Sequence, residues 1–231
     1  MNPSIFEFMD QKGIKGAIFD LDGTLVDSMG VWHRIDDEFL GRRGFPADET
    51  YKQAVKTMKY ETAAHYTIER YHLSESPEEV MAEWDAMALH EYRYHIKCKP
   101  GAAEFLQDLK AKGMKLALAT VSHRGLLEAV LKGNEIYELF DVLTDVSQVS
   151  RGKEEPDLYL FAADQMGLEP EECMVFEDVL LGINSAKRGG FYTCGVKDHS
   201  SEAEEQEIRQ IADCFVESFG VFDVEKNLFS H

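Results

Sequence analysis

Six short apolar runs recur along this chain with almost no polar alternation inside them: "GAIFD" (16–20), "KLALAT" (115–120), "FDVLT" (140–144), "CMVFED" (173–178), "FYTCGV" (191–196) and "DCFV" (213–216). A strand wetted on one face alternates polar and apolar residues, whereas a strand covered on both faces does not. These runs therefore predict parallel strands inside a doubly covered sheet. Between them lie "AAEFLQDLKAKG", "GLLEAVLKGN", "PDLYLFAADQMG" and "LLGINSAKRGG", whose apolar residues recur at helical spacing, and Gly113, Gly167 and Gly189 close three of these segments. The repeat predicts an α/β fold, a three-layer α/β/α Rossmann-like parallel sheet with helices on both faces.

From Ser28 to Cys98 the alternation stops. That stretch shows only helical patterns, "VWHRIDDEFLGRRG", "ETAAHYTIERYH" and "PEEVMAEWDAMALHEYRYHI", and the turn "KPGA" at 99–102 closes it. The expected organisation is a core of residues 1–27 and 99–231 with an all-helical cap, residues 28–98, inserted after the first strand. The insertion accounts for a chain of 231 residues, more than one average domain needs. A formal net charge of −19 repels nucleic acid and anionic membrane faces, so neither is expected as a partner. A small phosphorylated metabolite would need a metal or local positive charge to approach. Cys98, Cys173, Cys194 and Cys214 form no C-x-x-C pair and read as buried thiols. No basic segment leading into an apolar stretch opens the sequence, and no apolar run approaches about 18 residues. A cytoplasmic protein, monomeric by default, is the expectation.

In an open parallel sheet, ligands bind beyond the carboxyl ends of the strands. The loops converging there carry Asp20 and Asp22, then Thr120, Val121 and Ser122, then Lys153, then Glu177 and Asp178. Four carboxylates beside one lysine repel each other unless a hard divalent cation joins them, and Mg²⁺ suits oxygen donors of this kind. Asp20 and Asp178 are the candidate direct ligands, with the Asp22 carbonyl as a third. Lys153 and the Thr120 hydroxyl remain for phosphate oxygens. Two aspartates two residues apart at a strand's end supply a nucleophile and a proton carrier, which suits phosphate-ester cleavage through an aspartyl phosphate.

The segments "DLDGTLVDS", Thr120 after its apolar run, "GKEEPD" and "FEDVLLGINSAKRGG" stand in the order and at the separations of a known family. The chain resembles the haloacid dehalogenase-like phosphohydrolases, in their β-phosphoglucomutase-like branch with a helical cap, over nearly its whole length. The resemblance implies Asp20 as nucleophile and metal ligand, Asp22 as general acid/base, Thr120 with the Val121 amide binding phosphate, Lys153 neutralising it, and Asp178 as metal ligand. Glu177 would bind the metal directly or through water. Glu154 stands where the family often has proline. Trp32 occupies the position of the mutases' cap histidine, with His33 one residue on and turned by about 100°. The loop "KTMKYET" lacks the glycine and arginine of a sugar-phosphate mutase, leaving Lys59 as its candidate anion contact.

These departures favour a Mg²⁺-dependent phosphatase of a small phosphorylated metabolite over a phosphomutase. A signalling receiver also gathers acids, a hydroxyl and a lysine, but in roughly half this length and without a cap. A non-catalytic binder would have no use for the complete set. Several local patterns have plainer readings. Asp27 or Ser28 can cap a helix, and Ser122 is as readily a helix N-cap as a ligand contact. "HEYRYH" (90–95) spaces its histidines five apart, off one helix face. Trp32, Trp84 and the cap tyrosines are expected in a core.

Overall fold

The computed structural model describes residues 5–55 and 58–223. Its strands are β1 (Gly16–Phe19), β2 (Lys115–Thr120), β3 (Val142–Asp145), β4 (Cys173–Glu177), β5 (Tyr192–Val196), β6 (Cys214–Ser218) and β7 (Val221–Asp223). The helices are α1 (Ile5–Lys12), α2 (Val31–Arg42), α3 (Glu49–Val55), α4 (Tyr60–Tyr71), α5 (Pro77–Tyr94), α6 (Ala102–Ala111), α7 (Arg124–Gly133), α8 (Asp157–Met166), α9 (Leu180–Arg188) and α10 (Glu205–Ile211). The chain divides into two compact units, residues 1–28 with 96–231, and residues 29–95.

The larger unit is built on one sheet of order β3-β2-β1-β4-β5-β6-β7, parallel from β3 through β6, with β7 antiparallel at the edge. Strand β1 lies between β2 and β4, so the crossovers run one way to β2 and β3 and the other way to β4 onward. That reversal opens a crevice at the carboxyl end of β1. Phe19 pairs with both Leu118 and Phe176, which places Asp20 one step beyond the ladder and level with Glu177. The Asp20 amide still donates to the Phe176 carbonyl at 3.0 Å, so the backbone under Asp20 is held by the sheet.

Adjacent strand residues face opposite sides. Ile18, Ala117 and Val175 pack beneath Leu158, Tyr159 and Ala162 of α8. On the other face Phe19 stacks on Phe176 with ring centroids 4.4 Å apart, and Phe105 of α6 meets both edge-on. Burying each such ring contributes roughly 1.5–3 kcal/mol, which fixes the strand ends that carry the polar residues.

Two features depart from the sequence reading. Helix α1 buries Ile5, Phe8 and Met9, a helical spacing that was present in "SIFEFM" but stood outside the βα repeat. Strand β7 adds an antiparallel edge. Helix α9 ends at Arg188 with Gly189 as its C-cap, as expected, and Gly190 beyond it takes the left-handed conformation. Cys173, Cys194 and Cys214 are buried as expected, and Cys98 is only partly so.

The smaller unit is all-helical. Ser76 caps α5 in a reciprocal box with Glu79, with Pro77 opening the helix. Phe39 meets the buried Trp84 edge-on, and Arg43 lies 3.7 Å over the Phe39 ring while pairing with Glu75 and Glu83. Trp32 is not in this core; it is 44% exposed. Lys56 and Thr57 of "KTMKYET" lie outside the described residues. No described helix is long and apolar enough to cross a membrane.

Within this unit Asp36, on α2, is buried, and burial pushes its carboxyl up to about 6 against the opposing hydrogen bond from Tyr51. The Thr67 hydroxyl donates to the Ala63 carbonyl at 2.7 Å, and Tyr51 Oη lies 2.9 Å from Thr67 Oγ1 and 3.3 Å from Asp36 Oδ1. Asp36, Tyr51, Thr67 and the Ala63 carbonyl thus form one buried hydrogen-bonded line, at whose end burial favours the neutral form of Asp36. A folded pKa above the unfolded one means that the folded state binds more protons, so this stabilisation is complete below about pH 4 and is lost as pH rises through 6. Between pH 5.0 and 7.5 the native chain loses on the order of 1 kcal/mol relative to Asp36→Asn, after allowance for solvent at the edge of the group. Thermal melts of the two proteins across that range check this. Parallel curves would remove Asp36 as the titrating group.

Candidate active site

The turn after β1 is tight. The Leu25 and Val26 amides donate back to the Leu21 carbonyl at 2.9 and 3.0 Å, and the Gly23 amide donates to the Val26 carbonyl at 3.0 Å. Gly23 sits at φ +84°, and a Cβ there would stand 2.5 Å from Asp178 Oδ2. Only glycine meets both the left-handed backbone and the close approach of that carboxylate. Thr24, next in the turn, donates its hydroxyl to Asp178 Oδ1 at 2.7 Å. The first loop is thus laid directly against the loop after β4.

Asp20, Lys153, Glu177 and Asp178 come together, all buried. The Lys153 ammonium donates to Asp20 Oδ1, and to Glu177 Oε1 at 2.5 Å. Glu177 takes two further donors on Oε2, the amides of Asp178 at 2.9 Å and Val179 at 3.2 Å, and the Tyr159 hydroxyl on Oε1 at 3.0 Å. Gly182, on the first turn of α9, leaves room for that carboxylate, and a Cβ in its place would collide with it.

Asp22 faces elsewhere. Its Oδ2 accepts the Ser122 hydroxyl at 2.6 Å, while the Ser122 amide donates to Thr120 Oγ1 at 3.0 Å. Ser122 therefore does not cap α7, whose N-cap residue is His123 with no side-chain bond. Thr120 is buried at the end of β2, and Val121 is 55% exposed. Lys59 belongs to the other unit, exposed at the N-cap position of α4. Ser122 as a clamp on Asp22, Thr24 on Asp178 and Tyr159 on Glu177 were not readable from spacing, because each joins segments remote in sequence.

The electrostatics are lopsided. Burial pushes the Asp20 carboxyl well up; Lys153 opposes this, and the Glu177, Asp178 and Asp22 charges add to it. Asp178 is pushed up to about 7, first by burial and then by Glu177, against the Thr24 bond and Lys153. Burial works against the Lys153 charge, but Asp20 and Glu177 outweigh it and hold the ammonium protonated. One ammonium does not balance three buried carboxylates. One oxygen from each of Asp20, Glu177 and Asp178 lies within 4.8 Å of the others, a set that could hold a metal ion. Hard oxygen donors with unbalanced negative charge fit a divalent cation.

A parallel sheet that reverses direction at β1, with an acidic, lysine-bearing centre at the reversal, places the chain among α/β proteins whose ligand site lies at the carboxyl ends of the strands. Residues 14–190 match the haloacid dehalogenase-like hydrolases. The chain belongs to that family, in its β-phosphoglucomutase-like branch, and is a hydrolase. It is 33% identical over 196 residues to validoxylamine A 7'-phosphate phosphatase of Streptomyces hygroscopicus subsp. limoneus, covering 82% of this chain and 89% of that one. It is 30% identical over 213 residues to a bifunctional riboflavin kinase/FMN phosphatase of Arabidopsis thaliana; the match takes in 89% of this chain but only 55% of that protein's length. A putative beta-phosphoglucomutase from Thermotoga maritima superposes with a TM-score of 0.78 at 26% identity, covering 88% of this chain and 94% of the other.

Proposed function

We propose that the chain is a Mg²⁺-dependent phosphatase that hydrolyses the phosphoric monoester of a small metabolite through an aspartyl phosphate on Asp20, with the 29–95 unit acting as its cap. The observation that carries this reading is the Lys153–Asp20 pair, a charged ammonium laid on a buried carboxylate, with the second carboxylate, Asp22, held apart by a serine hydroxyl. Both sequence relatives described above bear phosphatase names, which supports the same reaction class.

Asp20 attacks phosphorus, the bond from phosphorus to the alcohol oxygen breaks, and Asp22 gives that oxygen a proton. Water then attacks the phosphorus of the aspartyl phosphate, Asp22 takes the water proton, and inorganic phosphate departs from the restored Asp20. Ser122 keeps the Asp22 carboxyl pointed for both transfers. Lys153 draws the phosphoryl oxygens over Asp20, with the Thr120 hydroxyl and the Val121 amide on the other side. Asp20 and Asp178, with the Asp22 carbonyl, would hold Mg²⁺, and Glu177 serves as the counter-charge of Lys153. When bound, the ion neutralises phosphate charge and stabilises that of the transition state. Isomerisation by phosphoryl return has less support, because an exposed tryptophan, Trp32, stands where a mutase of this branch carries its cap histidine.

The test is phosphate release from sugar, polyol, nucleotide and cofactor-precursor phosphates, with and without Mg²⁺, with Asp20→Asn as the blank. The expected result is release that needs both the metal and Asp20. Activity that survives exhaustive chelation would sink the metal assignment, and isomerisation of hexose 1-phosphates without phosphate release would replace hydrolysis by mutase chemistry.

A further inference from the structure

Tyr159 is fully buried in the apolar layer between α8 and the sheet, among Ala117, Leu158, Val175 and Phe191. Its hydroxyl is nevertheless not spent on satisfying a neighbouring backbone group. It donates to Glu177 Oε1 at 3.0 Å, the same oxygen that receives Lys153, and the Lys153 ammonium stands 6.0 Å from the centre of the Tyr159 ring. Tyr159 lies six residues beyond Lys153, so one segment supplies both the lysine and the group that braces its counter-charge.

The Glu177 carboxylate has no freedom to turn. Two backbone amides hold Oε2, and Gly182 is packed against the rest of the group. Oε1 is left with Lys153 and the Tyr159 hydroxyl. An oxygen that already accepts a hydrogen bond carries less charge for a second donor, so the phenol loosens the grip of Glu177 on the ammonium. An ammonium has three hydrogens, and two of them are directed at Asp20 and Glu177. A phosphoryl group arriving at Asp20 must draw on the same ammonium.

We propose that Tyr159 is a positioning residue for Lys153: through Glu177 Oε1 its hydroxyl sets how tightly the ammonium is held, and so keeps it available to phosphate at Asp20. This rests on the phosphatase reading above. The phenol touches neither Asp20 nor the reacting atoms. A hydroxyl that only stabilised the core would, when removed, lower the melting temperature and leave ligand affinity alone.

The test uses Tyr159→Phe in the full chain, which keeps the ring and its packing and removes one oxygen. Calorimetry of inorganic phosphate binding to the Mg²⁺-loaded protein is the first readout, and kcat and KM for p-nitrophenyl phosphate are the second. The phosphate Kd and the KM are expected to rise together by about fivefold to tenfold, the scale of one charge-assisted hydrogen bond acting indirectly, with kcat changed by less than about threefold. In a Glu177→Gln background the same substitution is expected to change phosphate affinity by less than about twofold, because the oxygen it acts through is no longer charged. Unchanged phosphate affinity in Tyr159→Phe, with only a lowered melting temperature, would overturn the proposal, as would effects that simply add in the double variant. If the wild-type protein released no phosphate from any ester, the phosphatase reading would fall, while the phosphate-binding comparison would still decide the role of Tyr159.

Discussion

Asp20→Asn is expected to abolish phosphate release, by about 10⁴-fold or more, and to leave the metal-free protein at least as stable as the wild type. The first half follows from chemistry: an amide oxygen is a far poorer nucleophile than a carboxylate. The second half follows from charge. Asp20 shares its burial with Glu177 and Asp178, and its carboxyl is pushed up by that burial and by their charges against the pull of Lys153. An asparagine of the same shape removes one negative charge from an overloaded cluster, its oxygen can still accept from Lys153, and Glu177 remains as the counter-charge. The expected melting temperature without metal is therefore equal to or above that of the wild type. Mg²⁺ should raise it less in the variant, because one ligand is gone. Turnover assays and paired melts with and without Mg²⁺ check both halves. An Asp20→Asn protein that melts far lower would mean that the carboxylate is a structural member of the cluster rather than a strained one.

Much of this centre was legible in the sequence. The six apolar runs gave the sheet, because strands covered on both faces cannot alternate, and the loops at their carboxyl ends carried the acids, Thr120 and Lys153. The rest depends on side-chain direction across segments that the sequence does not relate. Ser122 stands a hundred residues from Asp22, and its hydroxyl bond follows from the register that sets β2 beside β1. Tyr159 read as one more apolar residue of an amphipathic helix, since spacing reports which face is buried and not what a phenol at that face touches. Trp32 misled in the opposite sense. A large aromatic in a helical pattern was expected in a core, yet its partner Tyr60 meets it edge-on at 6.0 Å while both remain exposed. Strand β7 was missed because a three-residue edge strand carries too few positions for a period to show, and helix α1 because its helical spacing precedes the first strand and stands outside the βα repeat.

Lys153→Met makes the opposite charge change and has the opposite expected effect on stability. It removes the ammonium and leaves Asp20, Glu177 and Asp178 buried with no positive partner among the described residues. Breaking a buried ion pair from one side costs about 3–5 kcal/mol, and here the loss is limited because burial already favours the protonated forms of Asp20 and Asp178. A fall in melting temperature of roughly 6–12 °C is expected for the metal-free protein. Catalysis falls as well, by about 10²–10³-fold, the usual effect of removing one preorganised stabiliser of developing charge. The decisive comparison is the stabilisation by Mg²⁺. The cluster of Lys153→Met carries one more uncompensated negative charge than the wild type, and that of Asp20→Asn one fewer. Mg²⁺ should therefore raise the melting temperature most in Lys153→Met, less in the wild type and least in Asp20→Asn. That order ties the cation to this carboxylate cluster without any reference to turnover. Equal Mg²⁺ shifts in all three proteins would place the ion elsewhere, and the acids around Asp20 would then need another source of positive charge to let a phosphoryl group in.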